Sequence, residues 1–125
     1  MERKEDKKSP PLAKSFAHAG RGVAVFFATT RNVRVHGAVF VAAVALGFFF
    51  SITKIEWMML VLASGLVFAT EAINTAIEID MDLTSPEFHP YARDTKDVAA
   101  GAVLIAAITA LVIGVLIFVP HLGIL

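Results

Sequence analysis

Four polar side chains recur at helical spacing within an otherwise apolar part of the chain. Glu71, Asn74, Glu78 and Asp82 occupy positions i, i+3, i+7 and i+11. At 100° per residue these positions span roughly 80° of arc, so we expect them on one face of a helix. Carboxylates can accept a proton from a substrate or bind Mg²⁺. This acidic stripe is therefore a candidate catalytic or metal-binding site.

A second group of polar residues follows the stripe. Its members are Glu87, His89, Arg93, Asp94, Lys96 and Asp97. A lysine ammonium can neutralise a phosphate, and Mg²⁺ prefers a few carboxylates together with phosphate oxygens. The two groups together suit phosphoryl transfer from a soluble nucleotide. The sequence contains neither GxxxxGK[ST] nor a kinase glycine-rich loop, so spacing alone only suggests this chemistry.

The elements that must position these residues are membrane helices. The chain is 57% hydrophobic, and a soluble domain of 125 residues could not bury that much apolar surface. Uncharged runs of 19 and 14 residues lie between Arg34 and Lys54 and between Glu56 and Glu71, and no charged residue follows Asp97. We predict membrane spans at about 35–53, 56–80 and 97–119, with the last ending at Pro120.

The second span must include Glu71, because 14 residues are too few to cross a bilayer. Glu71 then lies roughly 9 Å inside the hydrocarbon, at 1.5 Å per residue. A charge at that depth costs on the order of 3 kcal/mol. Ionisable groups retained at such a cost usually mark a functional site.

The basic residues predict the orientation of the spans. Eight of the eleven Lys and Arg precede the first span, and two more precede the third. The positive-inside rule therefore puts the N-terminus and the second loop in the cytoplasm and the C-terminus outside. We predict a disordered charged tail over residues 1–10 and one domain over 11–125. That domain begins with an amphipathic surface helix at about 12–30, which suits the membrane interface.

Three segments resemble a known family, the prokaryotic diacylglycerol kinases, which include the undecaprenol kinases. They are EAINTAIEIDMD (71–82), KDVAAGAVLI (96–105) and RNVRVH (31–36), and the resemblance covers roughly residues 12–120. It implies transfer of the ATP γ-phosphate, with Mg²⁺, to the hydroxyl of a membrane lipid, either diacylglycerol or undecaprenol. It also implies an all-α homotrimeric bundle in the bacterial cytoplasmic membrane, with active sites shared between subunits. No nucleic-acid partner is implied.

The resemblance also assigns roles to individual residues. It implies that Glu71 is the general base and that Glu78 is a metal ligand. The remaining matched positions are implied to shape the site or contact the nucleotide: Asn74, Asp82, Glu87, His89, Lys96 and Asp97. The family usually carries a second metal-binding Glu where this chain has Thr30. A hydroxyl is a poorer Mg²⁺ ligand than a carboxylate, so we expect weaker metal binding here.

Two other functions remain open. Thr30 favours a catalytically impaired family member that acts as a membrane assembly or binding protein. Glu71 and Glu78 could also relay ions or protons, but the apolar run from Trp57 to Phe68 offers only Ser64, so a conduit ranks last. We interpret His36 as a polar anchor at the membrane interface rather than a chemical group. The sequence does not choose between the two lipids.

Overall fold

The structure is a computed structural model, and it describes residues 11–123. Four helices make up this part of the chain: α1 (Leu12–Thr29), α2 (Val33–Phe49), α3 (Lys54–Thr84) and α4 (Pro90–His121). The described residues contain no strand, which confirms the predicted all-α class. The predicted disordered tail at 1–10 lies outside the described residues.

Helices α3 and α4 form a long antiparallel hairpin that is the main packing unit of the chain. The buried residues of α3 are Leu60, Ala63, Val67, Glu71 and Thr75, which recur every three or four positions. Such spacing produces a single stripe along the helix. On α4 the small residues Ala99 and Ala106 are buried. The acidic stripe therefore continues the same face that packs the hairpin, and Glu71 marks where that face changes from apolar to polar.

Two helices, α3 and α4, are long and apolar enough to cross a membrane unaided. Helix α2 has 17 residues, which at 1.5 Å per residue is about 26 Å, slightly less than the hydrocarbon thickness. Helices α1 and α2 meet at a bend of 102° across a short break, and together they provide a third candidate span. The described chain thus has two or three candidate spans.

The helices begin and end at other residues than the predicted spans; α3, for example, covers Lys54–Thr84 rather than 56–80. Helix α2 stops at Phe49 because Ser51 adopts a left-handed φ of 49° and turns the chain. Helix α4 starts at Pro90 and so contains most of the polar group predicted in the second loop, which shrinks to residues 85–89. Pro favours the first turn of a helix because its missing N–H is not needed there. Helix α4 also runs one residue past Pro120.

The end of the bundle opposite the acidic stripe holds an apolar core. Ile52, Leu60 and Ile117 are buried there, and the Trp57 ring packs beside them. The Thr53 hydroxyl accepts from the backbone N–H of Glu56, and the Glu56 carboxylate accepts from the backbone N–H of Thr53. This reciprocal capping box fixes the start of α3. The core and the cap hold α2, α3 and α4 together at this end of the bundle. They thereby fix how the three helices are aligned at the other end.

Candidate active site

Glu71 is the most buried ionisable residue of the acidic stripe, with only 6% of its side chain exposed. Helix α3 holds it on the stripe that faces the other helices. Its Oε1 lies 2.7 Å from Nε2 of His36, which α2 supplies. An unpaired charge at a buried position strongly destabilises a fold, so a carboxylate in such a place needs a polar partner. His36, interpreted from the sequence as an interface anchor, thus also contacts Glu71.

One helical turn beyond Glu71, a pair of threonines joins the α1–α2 bend to α3. The Thr30 hydroxyl lies 2.7 Å from the Thr75 hydroxyl, and Thr75 is buried. Thr30 is the C-cap residue of α1 and so sits at the bend itself. The position that we expected to bind metal weakly thus forms a hydrogen bond within the protein.

Asn74 and Glu78 form the next contact along the stripe. The Asn74 Nδ2 donates to Oε1 of Glu78 at 3.2 Å. The Asn74 Oδ1 is buried and has no partner among the described residues. Buried carbonyl oxygens are nearly always hydrogen-bonded, so this atom is available to a donor from a ligand or another chain. Glu78 itself is exposed.

Lys96 connects α4 to the end of the stripe. Its Nζ lies 2.5 Å from Oδ1 of Asp82, and both side chains are exposed. Lys96 precedes the uncharged stretch that starts at Val98 and so lies outside the predicted span at about 97–119. The hydrogen bond to Asp82 raises the pKa of Lys96, and the charge of nearby Glu78 adds to this effect. The ammonium is therefore fully charged at neutral pH and can attract a phosphate.

The other predicted nucleotide contacts do not join this cluster in a single chain. Glu87 lies exposed in the loop 85–89. His89 is the N-cap residue of α4, and its Nδ1 accepts from the backbone N–H of Tyr91 at 3.1 Å. Asp97 is exposed on α4, immediately after Lys96.

The side chains of the stripe offer few ligands to a metal ion. Residues 11–123 contain no group of three His, Cys, Asp or Glu side chains that could enclose a metal. Glu78 nevertheless offers an exposed carboxylate beside Asn74. Mg²⁺ commonly takes one or two protein carboxylates and completes its shell with phosphate oxygens and water. Glu78 therefore fits a metal that arrives with a nucleotide, whereas the hydroxyl of Thr30 already has a partner.

Two grooves flank the hairpin. One, of about 530 Å³, lies between α2, α3 and α4; it is lined mainly by apolar residues such as Phe40 and Leu111, and His36 is its titratable member. The other, of about 550 Å³, lies between α3 and α4 and includes Asn74 and Asp94. An apolar groove that contains the partner of a buried carboxylate can present a lipid to that carboxylate.

Sequence reasoning missed two of these residues, His36 and Thr75. Thr75 stands four positions after Glu71, so the helical period could have added it to the acidic stripe. His36 lies 35 positions before Glu71, and no local spacing rule connects residues that far apart.

Apolar helices, a buried carboxylate and a lysine–acid cluster at one end define the candidate site of a membrane phosphotransferase. The sequence model of the family "Prokaryotic diacylglycerol kinase" matches residues 17–118, most of the chain. This chain belongs to that family, which confirms the predicted resemblance. Its family and its apolar helices indicate a bacterial membrane protein.

Three relatives illustrate the match. The undecaprenol kinase of Bacillus subtilis (strain 168) is 45% identical over 109 residues, which cover 87% of this chain and 89% of the relative. The diacylglycerol kinase of Synechocystis sp. is 41% identical over 115 residues, which cover 91% of this chain and 66% of the relative. The diacylglycerol kinase of Escherichia coli (strain K12) is 26% identical over 112 residues, which cover 90% and 92%.

Proposed function

We propose that this protein, a lipid kinase by its family, transfers the γ-phosphoryl group of ATP to the hydroxyl of a membrane lipid, with Glu71 as the general base. The observation that carries the proposal is the Glu71 carboxylate. It is buried on the apolar stripe of α3, beside a residue that lines an apolar groove. A soluble substrate has no need of a base at such a depth, whereas a lipid hydroxyl is delivered there by its own hydrocarbon chain.

The proposed reaction needs one proton acceptor and several positive charges. Glu71 accepts the proton of the lipid hydroxyl as the oxygen bonds to the γ-phosphorus, and the bond from that phosphorus to the bridging oxygen of ADP breaks. Little covalent chemistry falls to the protein, because phosphoryl transfer depends mainly on positioning and on electrostatic stabilisation. The Lys96 ammonium, charged beside Asp82, supplies part of that stabilisation.

The remaining polar residues are assigned to the nucleotide and its metal. Glu78 would hold Mg²⁺, which neutralises phosphate charge when bound. The residues proposed to shape the site or bind the nucleotide are Asn74, Asp82, Glu87, His89, Lys96 and Asp97. Thr30 completes no metal shell in this proposal, since its hydroxyl pairs with Thr75. Water and phosphate oxygens would take the position that a Glu occupies elsewhere in the family.

The membrane arrangement belongs to the same proposal. We place the N-terminus, the loop 85–89 and the acidic stripe at the cytoplasmic face, with α1 lying in the interface and three spans crossing the bilayer. The distribution of basic residues and the exposed apolar side chains of α1, such as Phe16 and Val23, support this arrangement. A homotrimer with shared sites is supported by Glu78 and Asp82, which are exposed in a single chain.

Undecaprenol is the first lipid to test. The relative named undecaprenol kinase is 45% identical over nearly the whole of both chains. Diacylglycerol is the second, because the 41% identity to a diacylglycerol kinase over 91% of this chain favours it as well.

The test is the transfer of labelled phosphate from ATP to each lipid in detergent micelles with Mg²⁺. Wild type should phosphorylate one lipid, and Glu71→Gln should lose at least a hundredfold in kcat because the amide cannot accept the proton. Glu56→Gln is the matched control, since it makes the same change at the far end of α3 and should keep wild-type kcat. If wild type transfers phosphate to neither lipid over a wide range of Mg²⁺, the impaired-member alternative replaces this proposal.

A further inference from the structure

The contact between His36 and Glu71 joins two helices that the sequence does not relate. His36 lies one turn into α2, and Glu71 lies in the middle of α3. Nε2 of His36 and Oε1 of Glu71 are 2.7 Å apart, a close ion-pair distance, and the side chains are 24% and 6% exposed, respectively. A contact of this length between two largely enclosed groups is held by the packing around it, unlike a surface ion pair.

The chemistry of the two groups allows His36 to support the carboxylate. An ionised carboxylate only accepts, so His36 can hold it when Nε2 carries a hydrogen and donates it to Oε1 of Glu71. One carboxylate oxygen is thereby held, and the other stays free for a substrate hydroxyl. A glutamate side chain has three rotatable bonds, and a free one would spend little time in any single orientation.

His36 lies between the apolar groove and the Glu71 carboxylate. Its ring lines the groove of about 530 Å³ between α2, α3 and α4 and also touches Glu71. The other members of the groove that flank it on α2, Val39 and Phe40, are apolar and offer no alternative donor. On α2, His36 is therefore the groove-lining side chain that can donate to the carboxylate.

We propose that His36 is a positioning residue that holds the Glu71 carboxylate in the orientation required to accept the lipid hydroxyl proton. This inference rests on the proposed function, in which Glu71 is the base. Misplacing a catalytic group by about 1 Å can cost about a hundredfold in rate. The loss should appear in kcat rather than in KM, since the many apolar side chains of the groove bind the lipid chain, whereas His36 acts on the base.

The test compares three variants of full-length protein in the lipid kinase assay. His36→Leu removes the donor and should lower kcat between tenfold and a hundredfold, with the lipid KM changed less than threefold. His36→Gln puts an amide nitrogen close to the place of Nε2 and should recover kcat to within fivefold of wild type. His36→Asn is equally polar but too short to reach Glu71, so it should resemble His36→Leu. The Gln and Asn pair decides the question even if the Leu variant fails to fold.

His121→Leu is the matched control. Among the described residues it breaks the second histidine–glutamate contact, at 3.1 Å from Glu56 at the opposite end of the bundle, where the histidine is about as exposed as His36. It should leave kcat unchanged, which separates a local effect on Glu71 from the general loss of a histidine.

Three results would overturn the inference: wild-type kcat in His36→Asn, equal losses in the Gln and Asn variants, or a raised lipid KM at constant kcat. The last would make His36 a lipid-binding residue instead. An inactive wild type, by contrast, would remove the proposed function itself.

Discussion

The hydroxyl pair of Thr30 and Thr75 gives the sharpest prediction about stability. Five other threonines of the described helices donate to the carbonyl four residues earlier: Thr29, Thr70, Thr84, Thr95 and Thr109. Thr75 instead meets Thr30, 45 positions away and 2.7 Å distant. This bond ties the 102° bend between α1 and α2 to the helix that carries Glu71.

The expected magnitudes follow from burial. A neutral hydrogen bond contributes about 1 kcal/mol net, and a buried hydroxyl left without a partner costs about 1–3 kcal/mol. Thr30→Val leaves the buried Thr75 hydroxyl without its partner. That hydroxyl can then donate to the backbone carbonyl of Glu71, four residues earlier, as the other threonines do. Thr75→Val leaves Thr30, which is half-buried and can bond to water. Each single change should therefore cost about 1 kcal/mol.

The double variant separates the bond from the two side chains. Because both single changes remove the same bond, Thr30→Val/Thr75→Val should cost about 1 kcal/mol rather than the sum of about 2, a coupling of about 1 kcal/mol. The free energy of unfolding can be measured by denaturant titration in detergent. Additive costs would refute the pairing. A raised Mg²⁺ requirement in Thr30→Val would show instead that the Thr30 hydroxyl binds metal.

Four further predictions test the site and the opposite end of the bundle. Thr30→Glu should lower the Mg²⁺ concentration for half-maximal rate, because it restores a carboxylate ligand; an unchanged requirement would contradict the Mg²⁺ argument. Lys96→Met should raise the KM for ATP at least tenfold and leave the unfolding midpoint in place, because its pair with an aspartate is exposed. Gly47→Ala should destabilise by about 1–3 kcal/mol and alter the fluorescence of the single Trp, because a new Cβ would lie 2.6 Å from Cη2 of Trp57. Ser51→Gly should stabilise by about 1 kcal/mol in the same titration, because φ of 49° strains a residue with a Cβ; no gain would show that the turn is unstrained.

The sequence was sufficient for much of the fold. The all-α class followed from composition and from the length of the uncharged runs, since a bilayer admits helices that satisfy their own backbone. The acidic stripe followed from helical spacing. The ends of α2 and α4 were less predictable: the turn at Ser51 uses a backbone conformation that serine rarely adopts, and the helix that begins at Pro90 absorbs charged residues typical of a loop.

The candidate site, like the fold, was predictable from the sequence only in part. Because periodicity is a local property, composition and spacing by themselves identified an acidic face on one membrane helix. They also identified Glu71 as the residue of that face whose placement in the membrane costs the most free energy. Only the tertiary structure decided what Glu71 meets. The contact between His36 and Glu71 and the hydrogen bond between Thr30 and Thr75 depend on the bend between α1 and α2 and on how α2 packs against α3. Contacts across 35 and 45 positions leave no period in the chain, so they exist only once the helices have packed.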